Sequence, residues 1–181
     1  MPSKDLVFIW GMPGSGKTTL GKKLAKELNF DWIDSDNYIE NAEGKSVSEL
    51  FEKHGEEYFR KLEKKSLEEF LNLNKVLISC GGGFPVFNQN NKTMLENGFC
   101  IYLKAELGLL NKRLIENNSK RPLLSGSNEG QILKKLTEIF GNRKEIFETA
   151  HYQINIPVKS SKTFIIQASQ AFYSFKNETN N

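Results

Sequence analysis

The chain contains the stretch Leu6-Val-Phe-Ile-Trp-Gly-Met-Pro-Gly-Ser-Gly-Lys-Thr-Thr-Leu20, in which two local patterns meet. An apolar run stops at Gly11, and a helix-like pattern begins at Lys17. Between them lies Gly11-x-x-x-x-Gly16-Lys17-Thr18, the phosphate-binding loop or Walker A pattern. The order of strand, glycine-rich loop and helix predicts a site for the phosphates of a nucleotide.

Each residue type in this loop has a physical task. Gly14 and Gly16 allow positive φ angles and a close approach of the backbone to a phosphate. The turned backbone and the helix N-terminus then aim several N–H groups at one anion. Lys17 brings a positive charge to the β- and γ-phosphates, and the Thr18 hydroxyl can ligate Mg²⁺. The alternative, a glycine-rich turn with an incidental lysine, is disfavoured by the strand before it and the helix after it.

The composition is that of an ordinary soluble globular protein. Its 181 residues are 38% apolar and 26% charged, which predicts a single domain over residues 1–181. The net charge of +3 comes without a clustered basic stripe, so nucleic acid is not an expected partner. No apolar stretch approaches the length of a membrane span, and no signal peptide precedes the first strand. We therefore expect a cytoplasmic protein with no membrane partner, working as a monomer.

Neither the cysteines nor the histidines predict a metal site. Cys80 and Cys100 lie in or beside apolar runs and match no metal-ligand spacing, so we expect buried, reduced thiols. His54 and His151 are isolated in the sequence, which gives no support to a catalytic triad.

Short apolar runs alternate with longer amphipathic stretches, the pattern of parallel βαβ units. The apolar runs predict strands at residues 5–10, 31–33, 75–80, 99–103 and 152–156. The amphipathic stretches predict helices at residues 17–28, 37–42, 46–53, 56–72, 92–97, 106–117, 130–148 and 162–175. Together they predict an α/β three-layer sandwich, a five-stranded parallel sheet with helices on both faces, with ligands beyond the carboxyl ends of the strands. The irregular segment from Asn117 to Gly130 predicts a lid.

Asp34-Ser35-Asp36 follows the second predicted strand. Two carboxylates at positions i and i+2 of an extended chain point the same way, so one could hold Mg²⁺ while the other binds substrate hydroxyls or takes a proton. The alternative is that Ser35 or Asp36 caps the helix that begins near Asn37. The phosphate loop nearby favours the functional interpretation.

Gly81-Gly82-Gly83 follows the predicted strand at residues 75–80. Three consecutive glycines cost backbone entropy, so we expect a close approach to the backbone there. A sharp turn usually needs one or two glycines, which favours a ligand lying on the backbone over a bare turn. The next segment, Phe84-Pro-Val-Phe-Asn-Gln-Asn90, is apolar and then rich in amides, and nothing in the sequence explains it.

Three arginines are ambiguous on pattern alone. Arg60 lies four residues after Glu56 and three before Glu63, a spacing that also fits solvated ion pairs on a helix face. Arg121 precedes a proline, which keeps it out of helical conformation and able to reach a phosphate, but a solvent-exposed arginine fits equally. Arg143 lies late on an amphipathic helix, where it would pass for a surface residue.

Taken together and in this order, the patterns resemble those of the shikimate kinases, P-loop kinases related to the nucleoside monophosphate kinases. The phosphate loop itself is common to many unrelated ATPases. The specific part of the resemblance is a series of five further patterns, which are Asp34-Ser-Asp36, Phe51…Gly55-Glu56…Phe59-Arg60…Glu63, Gly81-Gly82-Gly83, Arg121-Pro-Leu-Leu124 and Arg143…Ala150. It runs from about Val7 to Tyr152. Shikimate kinases often have tyrosine at the position of Phe147 and threonine at that of Cys80.

The resemblance implies a P-loop NTPase fold, with a substrate-binding helical segment at about residues 34–63 and a lid at about 109–128. It implies that ATP phosphorylates shikimate to 3-phosphoshikimate, on the route to chorismate and the aromatic amino acids, with Mg²⁺ bound. The implied ATP-binding residues are Gly14, Ser15, Gly16, Lys17, Thr18, Thr19 and Arg121, and the implied metal ligands are Thr18 and Asp34. The implied shikimate-binding residues are Asp36, Arg60, Gly81, Gly82, Gly83 and Arg143. The implied catalytic residues are Lys17, Asp36 and Arg121.

Three other functions fit part of the sequence. Another small-molecule kinase, such as gluconate kinase, would share the phosphate loop without the triple glycine or this pair of arginines. A kinase-like protein that binds nucleotide without catalysis would be expected to have lost some of the implied catalytic residues. A nucleic-acid-associated ATPase is disfavoured by the modest charge.

Overall fold

The computed structural model describes residues 5–116 and 129–179, which build one twisted parallel sheet with helices on both faces. The strands lie in the spatial order β2-β3-β1-β4-β5, and each neighbouring pair is parallel. Their bounds are Leu6–Gly11 for β1, Asp31–Asp34 for β2, Val76–Ser79 for β3, Phe99–Ala105 for β4 and Tyr152–Ile156 for β5. The predicted five-stranded parallel sheet is confirmed.

Helices α1 to α6 lie in the crossovers between strands, and α7 follows the last strand. They are α1 at Lys17–Leu28, α2 at Ser35–Glu43, α3 at Val47–Phe70, α4 at Asn90–Asn97, α5 at Leu107–Glu116, α6 at Glu129–Phe147 and α7 at Ser161–Thr179. Helices α1 and α7 pack against each other on one face, and right-handed crossovers place α3, α4 and α6 on the other. Over the two described ranges, no helix is long and apolar enough to span a bilayer.

Strand β1 lies at the centre of the core. All six of its residues are buried, because helices cover both faces of the sheet at this position. The indole N–H of Trp10 donates to the backbone carbonyl of Phe147 across 3.0 Å, which ties the end of α6 to the central strand. This bond fixes the helix that carries Arg143.

Gly55 interrupts α3. Its φ and ψ angles of 79° and 173° are not helical, so the two helices predicted at 46–53 and 56–72 meet there at a kink. Beneath α2 and α3 lies a small apolar cluster, separate from the main core, that contains Ile39, Leu50 and Phe59. This cluster anchors the helix turn next to Arg60.

Neighbouring strands β2, β3 and β1 end at one edge of the sheet, where their following loops meet. The Trp32 indole N–H donates to the Ser79 hydroxyl at 3.0 Å, and that hydroxyl donates to the Lys17 carbonyl at 3.2 Å. The start of α1 is therefore held by side chains from β2 and β3. The phosphate loop, the paired aspartates and the triple glycine all lie at this edge.

Candidate active site

The phosphate loop has the backbone that its sequence predicts. Gly14 and Gly16 have φ angles of 84° and 98°, and Gly16 caps the N-terminus of α1. The Lys17 ammonium lies over the loop and donates to the carbonyls of Gly11 and Met12 at 2.9 and 3.0 Å. A strand end, a turned loop and a helix N-terminus thus surround one mobile cation, as an anion site requires.

Helix α5 packs against the phosphate loop at Gly14. A Cβ on Gly14 would lie 3.4 Å from Leu114 and 3.6 Å from Leu110. Nη1 of Arg113 donates to the Gly14 carbonyl at 3.1 Å. Sequence reasoning missed Arg113, because the contact joins positions 99 residues apart and no local pattern marks it. Ser15 is fully buried, and its hydroxyl has no hydrogen-bond partner in the described part of the chain.

Asp34 joins the starts of two helices. Its Oδ2 accepts the Thr18 hydroxyl at 2.9 Å, and its Oδ1 accepts the N–H groups of Asp36 and Asn37 at 3.2 and 3.4 Å. The alternative in which Ser35 or Asp36 caps this helix is therefore wrong, because Asp34 is the N-cap of α2. Asp36 lies in the first helical turn and not in extended chain, so the alternation argument for the two carboxylates is wrong as well.

The Asp36 carboxyl lies in an unusual electrostatic environment. Burial, and secondarily the charge of Asp34, raise the pKa of Asp36 to about 6, while Lys17 and Arg60 act in the opposite direction. The neighbouring Ser35 is fully buried, and its hydroxyl accepts the Gly81 N–H at 2.8 Å. The start of α2 is thus fixed directly against the triple glycine.

The triple glycine Gly81-Gly82-Gly83 gives room to three charged side chains. A Cβ on the first glycine would overlap the Asp36 carboxylate, and one on the third would overlap the Arg60 guanidinium. A Cβ on the second would lie 3.0 Å from Nη1 of Arg143. A turn begins here, with the Gly81 carbonyl accepting the Phe84 N–H at 3.1 Å, but none of the three glycines has a positive φ, so this turn does not require glycine. The predicted close approach is present, and the groups that approach are side chains of this chain. Binding of a ligand to this backbone stays a prediction.

Arg60 is not a solvated helix-face arginine. Its Nε and Nη2 donate to one oxygen of Glu56 at 3.1 and 2.7 Å, and its Nη1 donates to Glu63 at 2.8 Å. The side chain of Arg60 is 12% exposed and that of Glu63 is 1% exposed. Burial raises the pKa of Glu63 to about 7, against the lowering effect of Arg60. The sequence pattern gave the spacing of these residues but not their burial.

Arg143 comes to the same place from α6. Burial, and then the positive charge of Arg60, lower the pKa of Arg143 from its usual value. The two guanidinium groups lie against consecutive glycines, and their mutual repulsion favours an anion that contacts both. The surface interpretation of Arg143 is therefore wrong.

The remaining predicted site residues are Thr19, Arg121 and the metal ligands Thr18 and Asp34. Thr19 is exposed in the first turn of α1, beside Thr18. Arg121 and most of the predicted lid lie outside the described residues. The Thr18 hydroxyl and the Asp34 carboxylate fit Mg²⁺, which takes oxygen ligands and keeps several water and phosphate oxygens of its own.

Comparisons with known proteins identify the family. The family model described as "Shikimate kinase" matches residues 13–172. The chain belongs to the shikimate kinase family. The shikimate kinase of Clostridium botulinum (strain ATCC 19397 / Type A) is 41% identical, over 91% of this chain and 95% of that protein. The resemblance drawn from the sequence is thereby confirmed, and with it the assignment as an ATP-dependent kinase that phosphorylates shikimate.

Solved structures agree with the family. The crystal structure of shikimate kinase from Bacteroides thetaiotaomicron has a TM-score of 0.87 at 33% identity, over 94% of this chain and 98% of that one. Shikimate kinase from Acinetobacter baumannii, solved in complex with shikimate, has a TM-score of 0.85 at 29% identity, covering 96% of both chains. A gluconokinase from Sinorhizobium meliloti 1021 reaches a TM-score of 0.63 at 12% identity over 99% of this chain and 98% of that one, which shows a common fold alone.

Proposed function

We propose that Asp36, Arg60 and Arg143 form the acceptor half of the active site, and that the phosphate loop, with Mg²⁺, forms the donor half. The convergence of these three side chains on one glycine backbone, directly beside the phosphate loop, carries the proposal. The solved relative in complex with shikimate supports this choice of acceptor.

The donor half binds the phosphates of ATP. The backbone N–H groups from Gly14 to Thr19 and the positive end of α1 attract the β- and γ-phosphates. Lys17 exchanges its two carbonyl acceptors for phosphate oxygens, which are stronger partners because they are charged. We assign Arg121 to the same nucleotide on the strength of the sequence series.

The metal would be held between the two halves. Thr18 would contribute its hydroxyl, and Asp34 would contribute its carboxylate, either directly or through water. When bound, Mg²⁺ supplies charge neutralisation for the phosphate oxygens. Asp34 keeps the bonds of Oδ1 to the start of α2 in either case, so it can orient Asp36 and contact the metal shell at the same time.

The acceptor half recognises a carboxylate and a hydroxyl at a fixed separation. Arg60 and Arg143 form charge-assisted hydrogen bonds to the planar carboxylate of shikimate. Asp36 accepts a hydrogen bond from the hydroxyl that reacts. Because its pKa of about 6 lies below neutral pH, the group is mostly ionised there and yet basic enough to accept a proton.

Phosphoryl transfer then needs alignment more than covalent chemistry. The shikimate hydroxyl oxygen forms a bond to the γ-phosphorus, and the bond from that phosphorus to the bridging oxygen breaks, so that ADP leaves with the electron pair. The hydroxyl proton passes to Asp36. Lys17 and Arg121 neutralise the charge that moves onto the phosphate oxygens.

The cytoplasm is the proposed location, and one chain is the proposed working unit. Both cysteines are buried free thiols, as suits a reducing compartment. Light scattering at assay concentration tests the monomer, and a dimer that loses activity on dilution would contradict it.

The acceptor is tested by ADP release with ATP and shikimate, gluconate, quinate or no acceptor, each with and without Mg²⁺. We expect turnover with shikimate that depends on Mg²⁺. Turnover with gluconate in place of shikimate would overturn the arginine assignments while leaving those of the phosphate loop. Binding of ATP without turnover of any acceptor would indicate a non-catalytic nucleotide-binding protein.

A further inference from the structure

The segment of residues 84–90, unexplained by the sequence, wraps around Arg60. The ring centroid of Phe87 lies 3.9 Å from the guanidinium carbon, whereas those of Phe51 and Phe59 lie 5.7 and 5.6 Å away. At the shorter distance the ring is in van der Waals contact with the cation, and at the longer ones it is near the limit of a cation–π interaction. Phe87 is therefore the ring that directly contacts the guanidinium.

The same segment also holds the backbone of Arg60. The side-chain amide of Asn88 donates to the Arg60 carbonyl at 3.0 Å. Asn88 and Gln89 have φ angles of 54° and 57°, a conformation that asparagine tolerates better than most residues. The backbone and the side chain of one arginine are thus contacted by two consecutive residues of one loop.

This loop is itself anchored to the core. Phe84 is fully buried and stacks on Phe70, with ring centroids 6.2 Å apart and planes inclined by 21°. The side-chain amide of Asn90 donates to the Phe84 carbonyl at 2.8 Å, and the Phe87 N–H donates to Gly83 at 3.4 Å. The backbone that carries Phe87 is therefore held by the packed interior, before any substrate binds.

The contacts leave two N–H groups of Arg60 available to a substrate. Three of its five N–H groups donate to Glu56 and Glu63, and the other two have no acceptor among the described residues. The guanidinium carbon of Arg60 lies over the Phe87 ring. A planar carboxylate can bind the two remaining N–H groups, one on Nη1 and one on Nη2.

We propose that Phe87 is a positioning residue, which orients the Arg60 guanidinium for the substrate carboxylate and so sets the preference for an anionic acceptor. The inference rests on the proposed function, in which Arg60 binds that carboxylate. An arginine already fixed in its binding orientation loses less side-chain entropy when the substrate arrives, so removing the ring weakens binding of the carboxylate in particular.

The test compares two acceptors, shikimate and its uncharged methyl ester, on the Phe87→Leu variant. We expect the KM of shikimate to rise by about 3- to 10-fold, the range of a partly desolvated cation–π contact. The kcat, the KM of ATP and the KM of the ester should stay within about twofold, because none depends on the orientation of Arg60. Phe87→Tyr keeps the ring and should restore the KM of shikimate.

Three further variants serve as an alternative, as a control and as a test of the Arg60 assignment. Phe87→Met keeps most of the volume without the ring and serves if the leucine variant does not fold. Phe175→Leu removes a half-buried ring from α7, which contacts His151 and no site residue, and should leave both acceptors unchanged. Arg60→Ala tests the underlying assignment, and it should raise the KM of shikimate far more than that of the ester.

The outcomes distinguish a failure of the Phe87 inference from a failure of the proposed function. A parallel rise of KM for shikimate and ester in Phe87→Leu would overturn the inference, because the ring would then only shape the pocket. No rise in Phe87→Leu, with a rise in Arg60→Ala, would overturn the role of Phe87 and leave the proposed function intact. No rise in Arg60→Ala would overturn the carboxylate assignment itself.

Discussion

The Asp36 carboxylate lies directly against the Cα atom of Gly81, in the space that any Cβ at that position would need. Gly83 stands in the same relation to Arg60, and a Cβ at Gly82 would be in tight contact with Arg143. Three side chains from three different helices are therefore brought to one strand end by the absence of three Cβ atoms. Substitution of these glycines should alter the site more than the fold.

Alanine at each glycine should give a distinct kinetic defect. Gly81→Ala displaces Asp36 and should lower kcat, whereas Gly83→Ala displaces Arg60 and should raise the KM of shikimate, each by about tenfold or more. In Gly82→Ala the new Cβ contacts only the end of the Arg143 side chain, so this variant should have the mildest kinetic defect. Since none of these glycines has a positive φ, Tm should change little. Steady-state kinetics and thermal melts check this, and a collapse of Tm with unchanged kinetics in the folded fraction would contradict it.

The rate should depend on pH through Asp36. Its pKa is raised to about 6, and the ionised form is the proton acceptor, so kcat/KM for shikimate should fall as the pH drops through about 6. A profile between roughly pH 5 and pH 8 tests this. The pKa of Glu63 is raised to about 7, so Glu63 titrates in the same pH range. The profile of Glu63→Gln shows how much of the fall in rate comes from Glu63. A flat profile in both proteins would contradict the role of Asp36 as a base.

The Glu56 carboxylate should weaken the attraction of Arg60 for the substrate carboxylate, because its negative charge lies against the same guanidinium. One of its oxygens accepts both Nε and Nη2, and its side chain is 56% exposed, so the ion pair is weak and displaceable. Glu56→Gln should therefore lower the KM of shikimate, by no more than about fivefold. Glu57→Gln is the matched control, since Glu57 pairs with Lys61 on the same helix and is 85% exposed. A KM that rises in Glu56→Gln would indicate that Glu56 orients Arg60 instead.

His151 should make the fold less stable in acid. Its Nδ1 accepts the Cys100 N–H at 3.1 Å, and burial lowers its pKa, so the folded state keeps it neutral. The unfolded chain takes up the proton first, below about pH 6.5, and the stabilising contribution is lost as the pH falls through that value. Asp36 and Glu63 act in the opposite sense, because their raised pKa values let the folded state bind protons first.

The contribution of His151 to stability is isolated by comparing the wild type with a His151 variant. Urea unfolding of the wild type and of His151→Gln at several pH values gives two free-energy curves. Their separation should shrink as the pH is lowered from about 7 to 5. A constant separation over this range would show that His151 is not held neutral by the fold.

The elements of the fold could be predicted because local patterns determine them. The apolar run of β1, the glycines of the phosphate loop and the break at Gly55 each carry their signal within a few residues. The family followed from the order of several such patterns. These features need no knowledge of which distant residues touch.

The architecture of the site could not be predicted in the same way. The burial of Glu63, the contact of Arg113 with Gly14 and the ring of Phe87 on Arg60 all depend on tertiary packing between separate elements. The triple glycine is the clearest example of a feature that the sequence predicts only in part. Its sequence indicated a close approach, but only the structure identifies the approaching groups as Asp36, Arg143 and Arg60.

Arg60 and Arg143 are proposed to bind the acceptor carboxylate. The most direct measurement is therefore the separation of kcat from KM for shikimate in Arg60→Ala and Arg143→Ala, with the exposed neighbour Lys144→Ala as the control. We predict a rise in the KM of shikimate by about 10- to 100-fold in each arginine variant, the worth of a charge-assisted hydrogen bond, with the KM of ATP unchanged. A shikimate KM that stays at the wild-type value in both variants would contradict the account.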